Sequence, residues 1–159
     1  MKQESELVYA GFWVRVWASL IDTVLLGILL VPPLMAIYGR SYWAYEGYIQ
    51  GPADLLLSYV VPAILVIVLW CKMSTTPGKM AIGARIVDAR TGGKPSMRQF
   101  IIRYAGYYLS MLVFFLGFIW VGVDRRKQGW HDKLAGTVVV RRRAGTTEAV
   151  RFEQGGPAA

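Results

Sequence analysis

Arg15, Ser19 and Asp22 stand at i, i+4 and i+7, so a helix through them carries all three on one face. They fall inside an apolar run of twenty residues, Phe12 to Val31. A carboxylate near the middle of a bilayer costs on the order of 2.5–3.5 kcal/mol on insertion scales, so it is retained for a partner or a function. Asp22 lies about ten residues into the run, roughly 15 Å at the helical rise. Arg15, three residues in, is placed to snorkel toward the interface. Three roles are open for the pair: charge contacts that hold helices in register, a cation- or proton-binding carboxylate in a polar cavity, or an assembly contact with another membrane protein. Ser19, Thr23 and Gly27 form an adjoining small-residue stripe at i, i+4 and i+8. Such stripes let a second helix approach closely, so the polar face is expected to look toward protein and not lipid.

A second constellation runs from Asp124 to Thr137 and contains the single histidine. His131 is of the type that titrates near neutrality, although a solitary histidine is usually an ordinary hydrogen-bonding group. Asp132 is placed to cap a helix or to pair with nearby Lys/Arg. Arg125, Arg126, Lys127, Arg141, Arg142 and Arg143 are suited to anionic lipid headgroups, worth about 1 kcal/mol each near a bilayer surface. No Gly-rich phosphate loop, H-E-x-x-H or G-x-S-x-G is present. One cysteine, Cys71, and one histidine are too few for a zinc site or a thiol triad. The sequence therefore points to no enzyme, no cofactor and no metal.

The elements that must position these residues are apolar. Hydrophobic residues make up 55% of the 159, and mean hydropathy is +0.38, rich for a soluble domain and ordinary for one partly in lipid. The six Trp and nine Tyr gather at the ends of the apolar runs, as an interfacial belt would place them. The segment MKQESEL lacks a strong basic region and no small-residue cleavage site follows, so the first run is expected to stay as a transmembrane helix. Pro32-Pro33 is expected to end it. An aromatic loop follows, with little charge. The second run, Leu55 to Trp70, is short for a span and is expected to kink at Pro62.

Residues 55–103 carry seven Lys/Arg against Asp88 alone, and residues 104–159 carry eight against four acids. Short basic loops mark the cytoplasmic side of a membrane protein. Because the basic runs abut lipid-length apolar segments, nucleic acid is set aside as their partner. Met80–Asp88 and Thr137–Arg141 read as strands, and pairing between them requires both to lie on one side of the membrane. The third run, Phe100 to Val123, has basic clusters at both ends. It is either a broken or re-entrant hairpin turning near Gly117, which the charges and the strand pairing favour, or a plain third span with an external tail. In the hairpin, Arg98, Gln99, Arg103, Gly106 and Ser110 share one face. Residues 144–159 read as a disordered tail.

With these motifs in order, the chain resembles the RDD family of bacterial membrane proteins, named for one arginine and two aspartates. Arg15 and Asp22 match the arginine and first aspartate. Thr76-Pro-Gly-Lys-Met-Ala-Ile-Gly-Ala-Arg-Ile-Val matches the loop after the second helix, and Asp132, in His131-Asp-Lys-Leu-Ala-Gly-Thr, matches the second aspartate. The resemblance spans about residues 9–143. It implies transport of a small solute or cation, with proton coupling one form of it, Asp22 as carrier and Arg15 and Asp132 setting its charge state. The rival is a non-transporting accessory or scaffold subunit of a membrane complex. The expected architecture is an all-α domain over 12–143 in the bacterial inner membrane. It would hold three or four transmembrane or re-entrant helices and a small cytoplasmic β element, preceded by an N-terminal cytoplasmic segment over 1–11. With so few helices, a homo-oligomer or another membrane protein is the expected partner besides lipid.

Overall fold

The computed structural model describes residues 7–113 and 115–142. Arg143 and the tail over 144–159 lie outside the described residues, as do residues 1–6. The chain is mostly helical, with a three-stranded antiparallel sheet. Two helices are long and apolar enough to cross a membrane, and a bent pair is a candidate third.

Helix α1, Phe12–Tyr38, runs 27 residues and passes straight through Pro32-Pro33. The expected break does not occur. Those prolines forfeit the bonds to the carbonyls of Ile28 and Leu29, a loss that transmembrane helices tolerate. The helix ends instead at Gly39, whose φ of 62° suits glycine. The short α2, Ser41–Ala44, lies in the aromatic loop. The second span comprises α3, Pro52–Leu55, a π-helical turn over Leu56–Val60, and α4, Val61–Met73, together 22 residues. The widened turn sits just before Pro62, which cannot donate a backbone hydrogen bond. Its C-cap, Ser74, adopts a left-handed conformation, and the Ser74 carbonyl accepts from Ile86 N at 2.7 Å. The span is thereby tied directly to the sheet.

A five-residue helix α5, Pro77–Ala81, precedes β2, Ala84–Asp88. The strand is thus shorter than the expected 80–88, because Met80 and Ala81 close a helical turn begun by Pro77. Strand β3, Thr137–Arg142, is central and pairs Ala84↔Arg141 through Asp88↔Thr137 with β2. Its other edge takes β1, Leu7–Tyr9, a third strand beyond the two expected. Ile86 and Val139 face Trp70 and Phe100 in one apolar cluster, while Val87, Val138 and Val140 form another.

Residues 97–123 form two helices that meet at 101°: α6, Met97–Leu112, and α7, Leu116–Val123. The chain reverses at Val113 and Phe115, the latter at φ 60°, and not at Gly117. Gly117 serves the packing of the two helices: a Cβ there would collide with Ser110. Gln99 at one end of the pair donates to Asp88 at 2.6 Å, and Arg126 beyond the other end donates to the Ala89 carbonyl at 2.6 Å. One end is therefore bonded to the last residue of β2 and the other to the residue just after it. The chain then forms α8, Trp130–Ala135, before β3.

Candidate functional site

Two polar locks sit where α1 meets the sheet end of the molecule. The first is built on Asp132. In the sequence G-W-H-D, Asp132 is the third residue of α8, and its carboxylate reaches back to accept from Gly129 N at 3.0 Å. The same carboxylate forms ion pairs with Arg15 and with Arg103. Arg15 uses its whole guanidinium: Nε donates to the Ala10 carbonyl at 3.0 Å and Nη2 to the Lys127 carbonyl at 2.6 Å. Lys127 presents that carbonyl from a left-handed backbone, φ 51°. Arg103 also donates to Thr137 Oγ1 at 2.7 Å and lies over the rings of Trp70 and Tyr107, at 5.5 and 5.8 Å. One buried carboxylate thus joins α1, α6, α8 and the start of β3. Burial alone would raise the Asp132 pKa, but Arg103 and Arg15 override it and hold the group below the usual carboxylate range. Burial pushes the neighbouring His131 down to about 3, against the pull of Asp132. Its ring packs between Tyr107 and Phe118, centroids 4.5 and 5.1 Å away.

The second lock is built on Asp22. Its carboxylate accepts from Thr76 Oγ1 at 2.5 Å and Gly78 N at 2.7 Å, with Lys79 Nζ 4.0 Å away. The T-P-G-K motif now has a physical reading. Thr76 supplies the hydroxyl, Pro77 starts the helix, and Gly78 lets the backbone come close: a Cβ there would strike the Ala18 carbonyl oxygen of α1. Lys79 brings a cation whose pKa burial lowers.

Arg15 and Asp22 share a face of α1, as their spacing requires, yet each takes its partner from a different segment. Arg15 pairs with Asp132 and not with Asp22. Ser19 and Thr23 are exposed, and Gly27 has open space before it. The stripe does not receive a helix of this chain, because α5 packs instead on the neighbouring face around Ala18. Arg125 and Arg142 are exposed, Arg126 reaches the Ala89 carbonyl, and Lys127 Nζ donates to the Gly122 carbonyl at 3.0 Å. Arg141 is half-buried in the central strand, opposite Val8 on one side and Ala84 on the other. Three residues of the site escaped attention as such in the sequence. Arg103 was legible only as part of the Gln99–Arg103–Gly106–Ser110 face, Lys79 only as part of a turn, and Trp70 only as the end of a span.

Between α1, α4, α6 and α7 lies an open cleft of about 870 Å³. Arg15, Asp22, Lys79, Arg103 and His131 line one end; Leu26, Leu29 and Leu65 line the other.

Two apolar spans, a bent third pair and a sheet that gathers three distant segments define a small polytopic membrane protein. Residues 9–136 match the RDD family, and the chain belongs to it. It is 32% identical over 149 residues to the uncharacterized membrane protein YteJ of Bacillus subtilis (strain 168), covering 87% of this chain and 86% of that protein. To the uncharacterized protein YxaI of the same bacterium it is 31% identical over 147 residues, covering 82% and 96%. A shorter match, 36% identical over 75 residues, links it to the uncharacterized protein RP437 of Rickettsia prowazekii (strain Madrid E), with 47% and 41% covered. No solved structure matches the chain.

Proposed function

We propose that the protein is a non-transporting accessory subunit of a bacterial cytoplasmic-membrane complex, with its sheet in the cytoplasm. One observation carries this reading: the three family-defining charges are engaged within the chain. Asp132 holds two arginines, and Asp22 holds the Thr76–Gly78 turn. A carboxylate held at both oxygens by its own chain is a fixed staple and a poor carrier. Two spans and a bent pair also leave an open cleft, not an enclosed pathway. Large apolar residues along α1, including Trp13, Trp17, Ile28 and Leu29, are exposed and suit lipid or a second membrane protein. The sidedness rests on the basic stretches adjoining the sheet and on the aromatic loop, whose residues 39 to 51 hold a single Lys/Arg, Arg40, offset by Glu46. A second reading, cation or proton-coupled transport, draws on Asp22 and Lys79 standing together at the cleft.

The test pairs two measurements on the full chain. Mild-detergent extraction from its own membranes, followed by native mass spectrometry, is expected to recover a complex of defined stoichiometry. Liposomes with a trapped pH dye are expected to show no response to added Na⁺, K⁺ or Li⁺. Cation-driven proton movement that vanishes in Asp22→Asn would replace the accessory reading with transport.

A further inference from the structure

A second cavity lies at the end of the spans away from the sheet, where the aromatic loop after α1 meets the start of the second span. It holds about 270 Å³ and shares no residue with the cleft or with either polar lock. The rings of Tyr42, Trp43, Tyr45, Tyr48 and Tyr59 line it, together with Asp54 and Ser58. Trp43, Tyr45, Tyr48 and Tyr59 are exposed, so a ligand arriving from outside reaches their rings.

The polar hydrogens of this lining are spent inside the chain. Ser58 Oγ and Tyr42 OH donate to Asp54 Oδ1, at 2.6 and 3.3 Å. Tyr45 OH donates to the Ile49 carbonyl and Tyr59 OH to the Tyr48 carbonyl, each at 3.1 Å, and Trp43 Nε1 donates to Met35 Sδ at 3.0 Å. A phenol that has donated keeps its acceptor lone pairs. Asp54 Oδ2 accepts from Gln50 N at 2.9 Å. Every donor to this carboxylate is neutral, and among the described residues no cation pairs with it. Arg40, the nearest cation along the loop, does not line the cavity. The cavity therefore offers ring faces, acceptor oxygens and one uncompensated negative charge. That combination selects a cation.

A hard metal ion is poorly served here. It takes several oxygen ligands, whereas the cavity has one carboxylate, and no group of three metal-ligating side chains occurs among the described residues. Aromatic faces attract an organic ammonium through the ring quadrupole. The volume lies just below the roughly 300–1,000 Å³ of sites for drug-sized ligands, which limits the guest to the size of a headgroup. We propose that this cavity binds one small alkylammonium ion against the exposed rings, with Asp54 supplying the balancing charge. Asp54 is only 5% exposed, but its charge acts through space and the ion needs no free lone pair on it. The proposal stands apart from the accessory reading, since the cavity belongs to neither lock.

Isothermal titration calorimetry of the full chain in an uncharged maltoside detergent tests it, with choline as the probe. Choline is expected to bind once per chain. The alcohol in which a tert-butyl group replaces the trimethylammonium has the same shape and no charge, and is expected not to bind. Asp54→Asn should weaken choline about tenfold. Tyr48→Ala should weaken it about threefold to fivefold, the strength of one exposed cation–π contact, while Tyr48→Phe keeps the ring and should bind like the parent chain. Tyr48 is 94% exposed, and its carbonyl, which accepts from Tyr59, survives either change. Far-UV circular dichroism checks that each variant is folded; if Asp54→Asn unfolds, the Tyr48 pair decides alone. Displacement of choline by micelles doped with phosphatidylethanolamine names a lipid headgroup as the bound ammonium, and no displacement names a free amine; either result supports the cavity. No choline binding, equal binding of the uncharged alcohol, or undiminished binding by folded Tyr48→Ala overturns the proposal.

Discussion

Asp132→Asn removes one charge and should cost more than any other single conservative change in the molecule. The carboxylate is fully buried and neutralises two guanidiniums, of which Arg103 is 1% and Arg15 12% exposed at the side chain. Removing one partner of a buried ion pair typically costs about 3–5 kcal/mol, because the remaining charge stays buried and uncompensated. Here two cations are stranded, although Arg15 keeps the Ala10 and Lys127 carbonyls and so recovers part of its loss. The lower half of that range, about 3–4 kcal/mol, is therefore expected. The amide oxygen that replaces the carboxylate could still accept from Gly129 N, so the helix cap contributes little to the loss. Asp124→Asn is the control, since its Lys133 partner is 43% exposed and such pairs are worth about 0–1 kcal/mol. Thermal and denaturant unfolding in one detergent, followed by circular dichroism, reads both variants. Adding Arg103→Met to Asp132→Asn should recover stability, a coupling that a double-mutant cycle isolates. A loss of less than about 1 kcal/mol for Asp132→Asn, with no coupling to Arg103, would refute the idea that this carboxylate holds the helices together.

His131 supplies a pH dependence. It is neutral in the fold with its pKa down at about 3, whereas in the unfolded chain it takes a proton near 6.5. As pH falls from about 6.5 toward 3 the unfolded state binds the extra proton, so stability should drop by about 1.4 kcal/mol per unit. His131→Phe, which keeps the packing between Tyr107 and Phe118, should flatten that slope in urea melts run from pH 7 to 5. Gly78→Ala should destabilise by about 1–3 kcal/mol, because its Cβ meets backbone on α1. Limited proteolysis within residues 74–83 should rise with it, and unchanged cleavage would argue against the tight α1–α5 contact. Ser96→Ala removes the side-chain half of the capping box that starts α6 and should cost about 1 kcal/mol. Glycine at the same position, measured by the same melts, should cost only a few tenths.

The sequence alone determined what depends on local composition. Apolar length and the Trp/Tyr belts marked the two spans, and β-branched runs marked β2 and β3. Helical spacing also placed Arg15 with Asp22, and Arg103 with Gly106 and Ser110, on shared faces. The family motifs stood in order along the chain.

Tertiary structure decided everything that depends on which face meets which. Leu7–Tyr9 is too short to announce itself and becomes a strand only because β3 offers it an open edge. Pro32-Pro33 reads as a stop, yet α1 continues past it. Spacing could not say that Arg15 pairs with a residue 117 positions away while Asp22, seven positions away on its own helix, takes a turn from another loop. That choice belongs to the sheet. By drawing three distant segments together at one end of the spans, it sets α8 beside Arg15 and Arg103 and α5 beside Asp22. A buried charge takes the partner that the packing brings within reach.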